Sequence, residues 1–358
     1  MLRDYPQILI GGRTVSRRAP LFVIAEIGLN HNGSVEGALA LVDAAAGAGA
    51  SAIKLQTLIA ADLVAPGAPA PAHVDAASMV DFFATFELDE DAHRQIVNRA
   101  RTHGLKVMAT PLSLAAVDLL ERVGIDAYKI ASGDITFRRL IERCGATRKP
   151  VVISTGMAEI PEIHRALTWV RVGGAAGVAL LHCVSSYPVP EGHENLGAIA
   201  ALADAFGCPV GLSDHAADAS GVPLVVALGG SLYERHIMLT EGDGSIDADV
   251  SSTAAQFVEI VKAAGRTAAV IGTGRKVCQP VERPNVTPSR RALHARRALR
   301  AGEILHEADL TALRPGIGIP ADRIDELIGA RVARDVASGA ALTHADVDSQ
   351  DGRSNRVA

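Results

Sequence analysis

Short apolar runs recur along the first three-quarters of the chain, each followed by a stretch long enough for one helix. The runs are FVIAEIG (22–28), AIKLQT (52–57), LKVMATP (105–111), AYKIASG (127–133), PVVISTG (150–156), VALLHCVSS (178–186), PVGLSD (209–214) and SLYERH (231–236). Apolar strands alternating with helical patterns predict parallel βαβ units. Eight such units close a TIM (β/α)8 barrel, a fold that carries its catalytic groups at the C-terminal ends of the strands. Ahead of them, QILIGGRTVS predicts a hairpin over 7–16 that turns at Gly11–Gly12 and plugs the N-terminal mouth. The longest connection, about 58–86, contains APGAPAPAH and reads as a lid over the catalytic face. The following ELDEDAHRQIVNRARTHG reads as an amphipathic helix with an acidic first turn and Gly104 as its stop.

The texture changes again over 278–290, where CQPVERPNVTPS holds three prolines and marks a linker. Residues 1–277 and 291–349 are therefore expected as two domains, and 350–358 as a frayed tail. Within the smaller domain, Gly302, Leu305, Ala308, Asp309 and Leu310 recur in type and spacing as Gly339, Leu342, Ala345, Asp346 and Val347. That repeat suggests a pseudo-symmetric, β-rich module. Composition fits the picture: 358 residues, 48% apolar and 21% charged, suffice for one large core and one small one. A net charge of −5 gives no support for a nucleic-acid or membrane-surface partner. No stretch reads as a signal peptide or membrane span. Cys144, Cys183, Cys208 and Cys278 lack CxxC spacing, which argues against a zinc cluster or disulfide framework and for a reducing cytoplasm.

The chemistry lies where the apolar runs end. Those ends carry Glu26, Lys54, Gln56, Thr110, Lys129, Ser132, Ser154, Ser213, His215 and His236. Two ammonium groups on one rim call for an anionic ligand, phosphate or carboxylate, and the hydroxyls can complete its cradle. His215 and His236 close neighbouring strands, and two imidazoles there suit a divalent metal with positions left open for substrate. Glu26 reads either as a general acid or base or as the ion-pair partner of Lys54. His182 and Cys183 read as packing or pocket wall. The NHNG turn after Glu26 is rich in residues that tolerate left-handed backbone, and its task is not legible from that.

Taken in order and with matched separations, AEIGLNHNG, AIKLQT, ATPLSLAAVDLLE, YKIASGDI, KPVVISTGMA, LLHCVSSYPVP, GLSDH and ERH resemble the sialic acid synthase family. That family comprises the N-acetylneuraminate synthases and their legionaminate and pseudaminate relatives. RRALHARRALRAGEILHEADL and LIGARVARDVASG resemble the antifreeze-like SAF domain fused to those synthases. The resemblance implies condensation of phosphoenolpyruvate with an N-acyl mannosamine-type aldose, giving a nonulosonic acid and phosphate. It implies phosphoenolpyruvate contacts at Lys54, Thr110, Lys129, Ser132, Ser154 and Ser213, and Mn2+ or Mg2+ at His215 and His236. It also implies Glu26 as the acid/base group, with Gln56, Asp134, Tyr187 and Asp247 facing the sugar. Arg314, in RPGIG, would reach into the other subunit of a domain-swapped homodimer. This chain departs from the family on the sugar side: EGDGSID replaces a Pro-Gly-Pro-Asp turn, Asp134 stands for a longer Glu, and the lid lacks an Asn. Two alternatives stay open at this point, a Schiff-base aldolase using Lys129 or Lys54 and a non-catalytic sugar- or ice-binding protein.

Overall fold

The structure is a computed structural model that describes residues 7–69 and 77–348. Part of the 58–86 connection and the 350–358 tail lie outside the described residues. The chain divides into two compact units, Met1–Gly272 and Thr273–Ala358.

In the first unit, β1 (Ile8–Ile10) and β2 (Arg13–Val15) form an antiparallel hairpin. Eight parallel strands follow: β3 (Phe22–Gly28), β4 (Ala52–Thr57), β5 (Lys106–Pro111), β6 (Ala127–Ile130), β7 (Val151–Ser154), β8 (Val178–Cys183), β9 (Val210–Ser213) and β10 (Leu232–Met238). They pair in sequence order, and β10 pairs with both β9 and β3, so the sheet closes. The predicted TIM barrel is the observed fold. A short ninth strand, β11 (Ser251–Thr253), runs parallel to β10 outside the ring.

Strand periodicity explains how one barrel has both a dry bottom and a polar mouth. Alternate residues face inward. Near the N-terminal end, Phe22, Ile24, Ala52, Met108, Ala127, Val152, Ala179, Leu181 and Leu232 pack with Ile8, Ile10 and Val15 of the hairpin. Two residues further along the same inward rows stand Glu26, Lys54, Thr110, Lys129, Ser154, Cys183 and Glu234, all buried. The outward rows pack against the helices in a larger shell that includes Val23, Ile53, Val107, Leu180 and Tyr233. Side-chain caps fix where helices begin after the catalytic loops: Ser34 accepts from the Gly37 N–H, and Ser113 from the Ala116 N–H.

The connection after β4 contains two short helices, Ala60–Leu63 and Met79–Ala84, and Phe82, Phe83 and Phe86 meet edge-on there. Among the described residues, no helix is long and apolar enough to cross a membrane.

In the second unit, the proline-rich 278–290 segment has regular local structure. It carries a 3-10 turn at Pro280–Glu282 and a helix at Arg283–Ser289. Beyond it, β12 (Ala292–Ala295) pairs antiparallel with β13 (Leu310–Leu313). The internal repeat has a physical basis. Asp309 accepts from the His306 N–H and from Arg297, and Asp346 accepts from the Thr343 N–H and from Arg334. Each aspartate thus closes a 3-10 turn and pins a distant arginine. Both carboxyls are held below the ordinary aspartate value: Asp309 by the His306 backbone and then Arg297, Asp346 by Thr343 and Arg334 against an opposing effect of burial. A depressed carboxylate contributes stability above its unfolded pKa that is lost as pH falls. Asp346→Ala is expected to destabilise this unit by about 1–2 kcal/mol and to flatten its loss of protection below about pH 4. Hydrogen exchange over 292–347 across that pH range measures both effects. Unchanged protection would show that the repeat is sequence similarity without a stabilising role.

Candidate active site

Seven inward side chains at the barrel mouth form one buried network of charge and hydroxyl groups. Lys54 Nζ lies 2.6 Å from Glu26 Oε2 and 3.5 Å from Glu234 Oε1, and it donates to Thr110 Oγ1 at 3.2 Å. Lys129 Nζ meets the same Glu234 Oε1 at 3.2 Å, and Ser213 Oγ donates to it at 3.0 Å. Gln56 Nε2 donates to Glu26 Oε1 at 3.1 Å. Two ammonium groups and two carboxylates thus share a site sealed from solvent at the level of 1–4% exposure.

Burial and pairing push these groups in different directions. Burial raises the Glu26 pKa above the ordinary carboxyl value, and Lys54 only partly opposes it. Burial also works against the Glu234 carboxylate, but Lys129 and Lys54 outweigh it and hold its pKa down at about 2. Lys54, between two carboxylates, keeps its proton more firmly than a free lysine despite its burial. Burial lowers the pKa of Lys129, and its close carboxylate Glu234 only partly opposes this. One carboxyl is therefore poised to exchange a proton and the other is a fixed counter-charge.

Beside this network stands a second, aromatic group. The His215 and His236 rings lie 5.7 Å apart between centroids, and Tyr187 stacks on His215 at 4.2 Å. Cys183 Sγ sits 3.7 Å from His215 Nδ1. Burial, reinforced by the neighbouring His236, drives the His215 pKa to about 3, and burial lowers that of His236 as well. Both imidazoles are neutral at physiological pH. Asp247 Oδ2 is 3.3 Å from His236 Nδ1, yet that nitrogen has no hydrogen-bond partner of proper geometry. Ser154 Oγ and Glu234 Oε2 are likewise buried and unpartnered. Such orphaned atoms are rare without a missing partner, and these three gather at one mouth.

The backbone makes room for these groups. Glu26 is inward by strand parity, and the β3–β4 ladder shifts register only after it, between Glu26 and Gly28. Gly28 has φ of 55°, and a Cβ there would sit 3.0 Å from His236 Nδ1 and 3.2 Å from Glu26 Oε1. Gly156 approaches equally closely: its N–H donates to Ser132 Oγ at 3.0 Å, and a Cβ would collide with the Ser132 and Ser185 hydroxyls. From outside the barrel, fully buried Arg235 donates to Ser252 Oγ and the Ala216 carbonyl and lies 3.4 Å from Asp214, bracing the segment that carries His215.

Of the residues marked in the sequence, Glu26, Lys54, Gln56, Thr110, Lys129 and Ser213 join one bonded network, and His215, His236, Tyr187 and Asp247 join another. Ser132 binds the Gly156 backbone, Ser154 is unpartnered, and burial raises the Asp134 carboxyl to about 6. Arg314 belongs to the second unit, where it is exposed. The sequence reading missed Glu234, the acceptor shared by both lysines, and Cys183 lines the pocket with its sulfur facing His215.

The imidazoles suit a divalent ion. They are neutral, they converge, and one nitrogen lacks a partner. Among the described residues, no cluster of three His, Cys, Asp or Glu side chains is tight enough to hold an ion unaided.

Known proteins carry the same arrangement of sequence. An N,N'-diacetyllegionaminic acid synthase of Campylobacter jejuni is 33% identical over 86% of this chain and 94% of its own length. A pseudaminic acid synthase of the same species is 30% identical over 91% of this chain and 96% of its own length. The solved N-acetylneuraminic acid synthetase of Leptospira borgpetersenii superposes with a TM-score of 0.73 at 28% identity, covering 80% of this chain and 97% of that one. The SAF domain pattern matches residues 290–348. With the NeuB family pattern matching residues 41–276, the chain belongs to the NeuB family and is an enzyme.

Proposed function

We propose that the enzyme condenses phosphoenolpyruvate with an N-acylated mannosamine-type aldose to give a nonulosonic acid and phosphate. One observation carries this reading: two buried lysines and four hydroxyls (Thr110, Ser132, Ser154 and Ser213) line one mouth beside two neutral imidazoles. A small, multiply anionic donor fits the lysines and hydroxyls. A divalent ion, Mn2+ or Mg2+, would be held by His215 and His236 and would polarise the sugar aldehyde as a Lewis acid.

Lys54 and Lys129 bind the phosphate and carboxylate of the donor, and the hydroxyls complete the cradle. Carbon three of the donor then forms a bond to the aldehyde carbon, and water adds at carbon two. The tetrahedral product of that addition loses phosphate by cleavage of its C–O bond. Glu26, poised by its raised pKa, moves the proton between water and the reacting oxygens. Gln56 orients the Glu26 carboxyl. Asp134, Tyr187, Asp247 and Arg314 face the sugar in this scheme, with Arg314 supplied by the second subunit of a homodimer.

The test is phosphate release from phosphoenolpyruvate across N-acetylmannosamine, its 6-phosphate and 6-deoxy diacetamido sugars. Turnover with one of them is expected, abolished by chelator and restored by Mn2+ or Mg2+. A covalent adduct trapped by borohydride would instead favour the Schiff-base aldolase, for which the lowered pKa of Lys129 is the supporting feature. Binding without turnover would overturn both.

A further inference from the structure

The NHNG turn has no task in the chemistry above, yet its side chains are committed. Asn30 is buried and uses its whole amide. Its Nδ2 donates to the Ile237 carbonyl and to Ser251 Oγ, both at 2.9 Å, and its Oδ1 accepts from the Asp247 N–H at 3.0 Å. Ser251 Oγ donates in turn to the Asp247 carbonyl at 2.7 Å. Two residues on, Asn32 adopts φ of 50° and donates Nδ2 to the Gly244 carbonyl at 3.1 Å. The turn after β3 thus grips the loop after β10 at two points more than 200 positions away in sequence.

That loop needs gripping. Residues 239–250 contain no proline. Their internal side-chain ties run to Asp243, whose carboxylate accepts from the N–H groups of Leu239, Thr240 and Ser245 at 2.9, 3.3 and 2.9 Å. These side-chain contacts shape the tip of the loop, and the backbone continues to Asp247 with Ala248 N–H donating to the Ser245 carbonyl at 3.3 Å and Val250 N–H to the Asp247 carbonyl at 3.1 Å. The peptide groups on both sides of the Asp247 Cα are held, by Asn30 on its N–H and by Ser251 together with the Val250 N–H on its carbonyl. With both ends of the residue fixed, its carboxylate faces His236 Nδ1 at 3.3 Å. Without Asn30 and Ser251, Asp247 would keep the Val250 N–H on its carbonyl and lose the bond on its own N–H.

We propose that Asn30 and Ser251 are positioning residues that clamp Asp247 against His236, and that this clamp sets the affinity of the site for its divalent ion. The effect on the ion rests on the metal reading of His215 and His236, whereas the clamp itself stands on the hydrogen bonds. Partners that orient metal-site groups typically contribute 10–100-fold in affinity.

Two measurements on the full chain test this. Mn2+ titration followed by the electron paramagnetic resonance signal of the free ion is expected to give about tenfold weaker binding in Asn30→Ala and Ser251→Ala. Phosphoenolpyruvate affinity, measured by calorimetry without metal, should stay within about twofold of wild type, a split that general loosening of the fold would not produce. Hydrogen exchange without metal should quicken over 239–250 and remain unchanged in β4. Ser251→Ala removes one hydroxyl and keeps the proposal testable if Asn30→Ala fails to fold. Unchanged exchange in the loop would overturn the clamp. Faster exchange with unchanged Mn2+ binding would overturn its link to the ion. A wild-type chain that takes up no Mn2+ would remove the metal reading and the affinity claim with it, while the exchange data would still decide whether Asn30 and Ser251 hold the loop.

Discussion

Glu234→Gln is expected to lower both stability and turnover, whereas Glu26→Gln should lower turnover alone. The two carboxyls share a site and face the same lysine, but the fold treats them oppositely. Glu234 is held at about 2, below its ordinary value. A depressed carboxyl contributes stability that is fully present above its unfolded pKa and disappears as pH falls toward the folded value. A drop of about two pKa units corresponds to roughly 3 kcal/mol, which glutamine forfeits because it has no charge to offer Lys129 and Lys54. A loss of that size in a domain of this length lowers the melting temperature by about 6–10 °C. Glu26 has the opposite sign. Its pKa is raised, so the fold favours the protonated form, and the linked stability grows as pH falls. Glutamine mimics that neutral form, and Lys54 retains Glu234 at 3.5 Å. Its stability should therefore change by less than about 1 kcal/mol, while loss of a general acid/base group costs about 10²–10⁴ in kcat. Urea denaturation and phosphate release on the two variants measure both quantities. A larger stability loss in Glu26→Gln than in Glu234→Gln would contradict the assignment of fixed charge and proton carrier.

The barrel was legible because strand period and strand count are properties of the chain itself. Lys54 and Lys129 announced themselves as charges inside apolar runs, and the inward parity of Ala52–Lys54 and Ala127–Lys129 carried them to the mouth. Glu234 obeyed the same parity. Leu232, Glu234 and His236 alternate along one strand, so placing His236 inward also places Glu234 inward and sends Arg235 to the outer face. The signal was present and was passed over in favour of the histidine. The Asn30 contacts had no such signal, since a loop tip that returns to Asp247 leaves no period to read. Prolines hid the local helix at 278–290. Pro280 and Pro284 lie in the first turn of their segments, where a missing N–H costs nothing, so a stretch that reads as a breaker forms helix.

His236→Ala is expected to abolish metal-dependent turnover and leave the apo fold intact. The wild-type ring is neutral and buried, and its Nδ1 lacks a partner, so folding desolvates that nitrogen without return. An unsatisfied buried polar atom costs about 1–3 kcal/mol, and its removal offsets part of the roughly comparable loss of ring packing. Ile237, Met238 and the β10 ladder to β3 do not depend on the ring. Turnover should fall by at least about 10³-fold, because Lewis-acid activation contributes several kcal/mol and each 1.4 kcal/mol is about tenfold in rate. Calorimetry with and without Mn2+ separates the two roles. At an ion concentration of about one hundred times Kd, a bound metal stabilises the wild-type fold by about 2.7 kcal/mol. The same addition should leave the variant's melting temperature unmoved. A variant that still gains stability from Mn2+ at that concentration, or that keeps wild-type turnover, would place the ion elsewhere and remove His236 from its coordination.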